Sequence, residues 1–351
     1  MSFPLRLALG LVPYRDRLTL HHADIRDILP QLASNSIDLA IVDPPYAIGQ
    51  DRKPGGRRWD ADEIAFDANF WREVRRVLRP GATLFCFGAS RTSHKSATAI
   101  ETAGFQIFDQ LFFAKGNSYP AGDRELSAEL ERIGSIESAG DYVGWHTHFR
   151  NSVEPIIIAR NLKPGQSLPD AIASGGIGGL NIDAARIPSQ NDDRSRKPGT
   201  DRKGHALRIQ RRGNAKSIPH PLGRHPSNLV LLHEEGCSSD ACIDSCPATA
   251  IDENGRRKCR AGRERASRLF SRLYYSSRAT PGGHPTAKPD PLCEWIAALT
   301  VREGMNVLDP FGGGGSISIA IARRGGNVIC VEREADYVAL IESRFAEADR
   351  E

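Results

Sequence analysis

No stretch of this chain approaches the roughly 20 consecutive apolar residues that a membrane helix requires. The apolar residues near the amino end, 5–12, are interrupted by Arg6 and lack a small-residue cleavage pattern, so no secretory signal is expected there. The 351 residues carry seven scattered cysteines, an odd number that does not make a disulfide framework. The GxGxxG spacing of a dinucleotide fingerprint is missing, and so is the GK[ST] ending of a P-loop. No internal repeat is visible. These absences argue against a membrane protein, a disulfide-stapled secreted domain and a nicotinamide-dependent oxidoreductase. What remains is a soluble protein of a reducing, cytoplasmic compartment. Its 40% hydrophobic and 26% charged residues are ordinary for that class.

The net charge of +4 hides an uneven distribution. Residues 194–216 hold nine Lys or Arg against Asp201 alone, and residues 256–272 hold eight against Glu264 alone. The rest of the chain is therefore net acidic. Two basic runs in one Gly-, Pro- and Ser-rich region read as a surface for phosphates rather than a merely solvated face.

Strand and helix signals alternate through the first 161 residues. Short apolar runs at 17–23 and 37–42 each end at an acidic residue, Asp24 and Asp43, with a helical turn over 27–33 between them. A helical period over 66–78 stops at Pro80-Gly81, and a continuous apolar run over 82–88 reads as a strand buried on both faces. A helix over 93–103 and a strand pair, 105–115 with 153–160, follow. From 162 to 283 the pattern dissolves, apart from short runs such as 229–232, which predicts an insertion with an irregular fold of its own. Alternation resumes over 284–351: helix 291–301, strand 306–308, a glycine loop, helix 317–323 and strand 327–331. The pattern predicts an α/β fold with a mostly parallel twisted sheet and helices on both faces.

Three motifs carry chemistry. Asp43-Pro44-Pro45-Tyr46 follows an apolar strand, at the carboxyl end where open α/β sheets bind ligands. Pro45 has no N–H and disfavours helical geometry at Pro44, which leaves the Pro44 carbonyl free of local turn bonding. A carboxylate beside a carbonyl is a two-acceptor cradle for an NH2 group, and Tyr46 offers a flat ring for a planar base. The second motif, Leu308-Asp309-Pro310-Phe311 followed by four glycines and Ser316, also joins a strand to a helix. Its glycines permit positive φ and close backbone approach to a ligand. Glu332 ends the next strand, where an acidic side chain can accept bonds from ribose hydroxyls. The third motif displays His284, Thr286 and Lys288 between prolines, a rigid set of donors suited to a carboxylate.

In this order, DPPY, HPTAKP and DPFGGGGS resemble the beta-class DNA amino-methyltransferases, the N6-adenine/N4-cytosine family. Further stretches resemble its phage and prophage-type site-specific members: HADIRDIL, SVEPIIIARNLKPG, SGGIGGLNIDAARIP, GRHPSNLV and EREADYVAL. The likeness runs from about Leu18 to Phe345.

It implies a Rossmann-like, S-adenosylmethionine-dependent methyltransferase fold with circularly permuted motif order. The implied parts are a catalytic half at 1–161, a target-recognition insertion at 162–283 and a cofactor-binding half at 284–351. It also implies S-adenosyl-L-methionine as cofactor and double-stranded DNA as partner, with no membrane association. A homodimer and a cognate restriction endonuclease are further partners left open. Carried over by position, Asp43, Pro44, Pro45 and Tyr46 are the catalytic residues. Asp24, His284, Thr286, Lys288, Asp309, Phe311, Gly313, Gly315, Ser316 and Glu332 bind the cofactor. Asp24 faces the adenine, Glu332 the ribose, and the residues around Thr286 the methionine end. Gly312 and Gly314 fall where the family pattern permits any residue, and they are expected to loosen the loop.

The implied reaction is transfer to the exocyclic amino group of a base rotated out of the duplex, with N6 of adenine favoured by the aspartate that opens the tetrapeptide. Cytosine N4 is the alternative acceptor, and a catalytically silent DNA-binding regulator is an alternative of another kind. Carbon-5 cytosine methylation needs a Pro-Cys nucleophile, and the chain has Cys246-Pro247 but no Pro-Cys. Residues 51–58, rich in Arg and Gly, form a candidate lid. Cys237, Cys242, Cys246 and Cys259, with His233 nearby, lack the CxxC pairs of most zinc sites and are read as thiols, with a structural zinc as the alternative. No metal ligand is expected.

Overall fold

The computed structural model describes residues 12–49, 58–115, 125–149, 151–187, 220–234, 236–237, 242–244, 246–256, 270–274 and 286–351. Among them nine strands form one sheet. In chain order they are β1 (Leu18–His22), β2 (Ile37–Val42), β3 (Leu78–Phe87), β4 (Gln106–Ala114), β5 (Val153–Arg160), β6 (Leu229–Leu232), β7 (Ser271–Leu273), β8 (Asn306–Asp309) and β9 (Asn327–Glu332). Across the sheet they run β1-β9-β8-β2-β3-β5-β4-β6-β7. Neighbours are parallel except where β5 pairs with β3 and β4. The strands that carry the two principal motifs, β2 and β8, are adjacent although far apart in the chain. That is the permuted arrangement expected.

Helices α1 (Ile25–Ile28), α2 (Ala68–Val77), α3 (Ser93–Thr102), α4 (Leu126–Arg132), α5 (Ile136–Ala139), α6 (Leu168–Ala173), α7 (Pro247–Arg256), α8 (Asp290–Thr300), α9 (Ser316–Arg323) and α10 (Ala335–Ala348) complete the described elements. None is long and apolar enough to cross a membrane.

Alternation along each strand sends successive side chains into two cores. Leu39, Ile41, Phe85 and Ile158 pack with Leu292 and Ile296 of α8 and Ile317 and Ile321 of α9. Ala40, Leu84, Ile157 and Leu308 pack on the other face with Phe70, Trp71 and Val74 of α2 and Ile100 of α3. The α2 side chains recur at helical spacing. Asp67 caps that helix by accepting from the Asn69 N–H at 2.8 Å, a contact worth about 1 kcal/mol.

Two features depart from the sequence reading. Pro80-Gly81 does end the helical period, but it does not precede a strand; it lies inside β3, where the pairing with β2 skips register. Gly81 has φ +80, and a Cβ there would stand 2.3 Å from the Ile177 carbonyl oxygen. Only glycine allows that approach, and the Ile177 N–H donates to Pro80 at 2.9 Å across it.

The second departure concerns 162–283. Its described parts are tied to the main sheet instead of standing apart. Residues 176–178 pack on the β3 bulge, Asn181 donates to the Leu299 carbonyl of α8 at 2.7 Å, and β6 and β7 extend the sheet beyond β4. Residues 188–219 and most of 256–272, which hold the basic runs, lie outside the described residues.

Candidate active site

Above the carboxyl ends of β1, β9, β8 and β2 lies a cavity of about 1030 Å³, its open mouth included. Asp24 enters it after β1, residues 43–46 after β2, residues 310–314 after β8, and Glu332 from the end of β9. Thr286 and Lys288 close it from the segment before α8, and Ser316 reaches it from the start of α9. Asp43 and the glycine loop therefore face one space. Of the residues singled out in the sequence, Asp309 and Gly315 do not line it, and His284 and the lid segment 51–57 lie outside the described residues.

The tetrapeptide is held from several sides. The Tyr46 hydroxyl donates to Asp43 Oδ1 at 2.9 Å, and Thr92 Oγ1 donates to the Tyr46 carbonyl at 3.1 Å. Ala47 sits at φ 50, a left-handed conformation that costs a non-glycine residue about 1–2 kcal/mol. Such a turn persists only because its surroundings fix it. On the far side, Lys288 Nζ lies 2.7 Å from Asp43 Oδ2 and 3.8 Å from Glu154 Oε2, and Lys115 also pairs with Glu154. Lys288 stands 5.1 Å from the Tyr46 ring centre as well.

The glycine loop is rigid by construction. Gly312 donates to the Val331 carbonyl at 2.9 Å, and a Cβ there would meet Cys330 Sγ at 2.6 Å and Ile341 Cδ1 at 2.8 Å. The glycine expected to loosen the loop is thus required by packing against β9 and α10. Gly313 donates to Glu332 Oε2 at 2.7 Å, while Glu332 Oε1 accepts from the Glu334 N–H at 2.8 Å. Arg344 of α10 donates to the Gly314 carbonyl and to Ser316 Oγ, and it grips both oxygens of Asp290 at 3.0 Å. One buried guanidinium therefore staples the glycine loop to the segment that carries Lys288. Asp309 is fully buried below the loop, where its Oδ2 accepts from Ser318 Oγ at 2.6 Å. Burial raises its pKa to about 7.

With this geometry in hand, comparison with known proteins is decisive: the N6/N4 DNA methylase family model matches residues 37–343. The chain belongs to this family. It is an S-adenosylmethionine-dependent DNA methyltransferase. The type II methyltransferase M2.LlaDCHI of Lactococcus lactis subsp. cremoris is 22% identical over 95% of this chain and 91% of its own length. M2.DpnII of Streptococcus pneumoniae, also a type II methyltransferase, is 21% identical over 97% and 94%. The solved PvuII DNA methyltransferase, specific for cytosine N4, shares the fold with a TM-score of 0.52 at 14% identity, over 93% of this chain and 86% of that one.

The electrostatics of the methylase's site follow from its burial. Burial pushes the Asp43 carboxyl above its ordinary value, and the Lys288 ammonium offsets only part of that. Burial pulls Lys288 down, but Asp43 and Glu154 outweigh it and hold the ammonium above its usual range. Glu154 is raised by burial yet held lower overall by Lys288 and Lys115. Burial and the same carboxylates push the Tyr46 phenol well up, so it remains a donor. At the other end of the cavity, the Arg26 guanidinium beside Asp24 holds that carboxyl below its usual value. Arg26 bridges Asp24 at 2.7 Å and Asp62 at 2.8 Å.

Sequence reading had grouped Lys288 with the cofactor residues, whereas the fold sets it against Asp43. Glu154, Lys115, Arg344 and Asp62 had not been singled out. Glu154 alone left a signal, as the lone charge in an otherwise apolar run from 153 to 159.

Proposed function

We propose that this enzyme transfers a methyl group to the exocyclic amino nitrogen of a base in duplex DNA, N6 of adenine, after the base has turned out of the stack. What carries the reading is Asp43 at the lip of a cavity that it shares with the glycine loop, with a lysine and a tyrosine holding its carboxylate in place. The cofactor end fits S-adenosylmethionine by the chemistry of its groups. Backbone at Gly313 and Gly314 faces the cavity, and Glu332 and Asp24 offer acceptors for ribose hydroxyls and an adenine amino group. When bound, that molecule supplies an electrophilic methyl on a positively charged sulfur.

Asp43 and the Pro44 carbonyl accept the two N–H bonds of the amino group and aim its lone pair towards the cofactor end. Each Asp43 oxygen already takes one bond, from Tyr46 or from Lys288, and each has a second lone-pair direction left. Lys288 keeps the buried carboxylate ionised, which acceptance requires. Tyr46 supports the base with its ring. Orientation and fixed charge are the main contributions to rate, since no covalent intermediate with the protein is involved. The basic runs at 194–216 and 256–272 supply phosphate contacts.

Incubating the enzyme with tritiated S-adenosylmethionine and mixed-sequence DNA, then separating the nucleosides, tests the reading. Label in N6-methyladenine is the expected outcome. Label in N4-methylcytosine would reassign the target base, and no label in either would point to a silent regulator.

A further inference from the structure

A second group of reactive side chains lies at the opposite edge of the sheet from the glycine loop. His233 directly follows β6, its backbone N–H donates to the Leu273 carbonyl of β7 at 2.7 Å, and its ring stacks on Tyr274 with centres 4.1 Å apart. The ring is buried, and its Nδ1 faces Cys242 Sγ at 3.3 Å and Cys246 Sγ at 3.4 Å. Among the described residues its Nε2 has no hydrogen-bond partner. One ring nitrogen thus meets two sulfurs at once. Cys237 completes the group: one ligand atom from each of His233, Cys237, Cys242 and Cys246 lies within 4.8 Å of the other three.

We propose that His233, Cys237, Cys242 and Cys246 form a closed, tetrahedral zinc site that fastens the loop 233–246 and α7 to the β6–β7 edge. Bond lengths of about 2.3 Å to sulfur and 2.0 Å to nitrogen put ligand atoms about 3.5–3.8 Å apart in a tetrahedron, close to the separations seen here. Three soft thiolates and one imidazole select zinc over magnesium or calcium. A cluster of two or more irons spreads its protein ligands over different metal ions, wider than a group that lies wholly within 4.8 Å. Four protein ligands leave no position for water, so the role is structural.

The packing points the same way. Cys246 is wholly buried at the start of α7, and among the described residues a small core of Leu231, Cys246 and Ala248, with Leu229 and Ile251 packed against it, joins this helix to β6. So few apolar contacts are a weak anchor for a ten-residue helix, and a metal makes up the difference. Sequence spacing alone concealed the site because it offers no CxxC pair. The fourth ligand is His233, brought in by strand pairing, while Cys259 lies outside the described residues.

Metal analysis of the full-length protein, purified under reducing conditions, tests the proposal: about one zinc per chain is expected. In the Cys237→Ser/Cys242→Ser double variant it should fall to about a tenth of that or less. Should that variant fail to fold, Co2+ exchanged into the wild-type protein should give the strong visible bands and near-ultraviolet thiolate transitions of a tetrahedral thiolate site. A folded, metal-free protein whose Cys237 and Cys242 alkylate freely would overturn the proposal. So would a disulfide among the site's three cysteines, bound iron in place of zinc, or a cobalt spectrum without thiolate transitions.

Discussion

Two neighbouring parallel strands of this methylase end in the same dipeptide, Asp-Pro, and the two aspartates have opposite fates. Ala40 pairs with Leu308, so Asp309 stands level with Ile41, two residues short of Asp43 along the sheet and about 6–7 Å deeper. Asp43 reaches the cavity and meets a lysine and a tyrosine. Asp309 stays beneath the glycine loop with one serine for company. A register offset of two residues thus separates a carboxylate that lines the cavity from one buried beneath the glycine loop.

The sharpest break of this comparison is Asp43→Ala. Methyl transfer should fall about 1,000-fold, while DNA binding stays within about twofold of wild type. Substantial remaining turnover would remove Asp43 from its assigned role. Lys288→Met should act through the same carboxylate. Burial already pushes Asp43 up, and the ammonium opposes that push. Without it the carboxyl protonates at higher pH, so the acid limb of the kcat/KM profile should move up. The defect should be about tenfold larger near pH 6 than near pH 9. An acid limb that does not move would show that Lys288 does not hold Asp43 ionised.

Asp309→Asn should have the smallest effect, on stability. Its pKa of about 7 lies above the value of an unfolded aspartate, so the fold binds a proton that the unfolded chain releases. The carboxyl therefore costs stability progressively as pH rises from about 4 to about 7, and the cost levels off above that, at no more than about 4 kcal/mol. Asparagine keeps an acceptor for Ser318 without the charge. The Tm gain of the variant over wild type should be near zero at about pH 4 and reach a few degrees at about pH 8. A gain independent of pH would mean that the burial of charge is not what distinguishes Asp309 from Asp43.

Much of this was legible beforehand where one-dimensional signals suffice. Strands β2, β5 and β6 match the expected runs residue for residue, because a strand buried on both faces is mostly apolar, Asp38, Glu154 and Arg160 being the exceptions. The pairing of β4 with β5 was also expected, though not its antiparallel sense. Strand β7 was not, since three residues in a basic stretch carry no period. Helices α4 and α5, between β4 and β5, were missed too; their exposed Ile133 and Ile136 blur the amphipathic pattern. At the site, DPPY and the glycine loop could be read because their chemistry is local. The Lys288–Asp43–Glu154 network could not, because its members lie on three segments that only the sheet brings together.

Strand β1 has β9 as its neighbour, with Leu18 set beside Val328. During synthesis from the amino end, β1 must wait for this partner until β9, far along the chain, has left the ribosome. Asp24 cannot take its place over the glycine loop before then. A nascent chain that still lacks β9 is therefore unable to complete the cavity between Asp24 and the glycine loop.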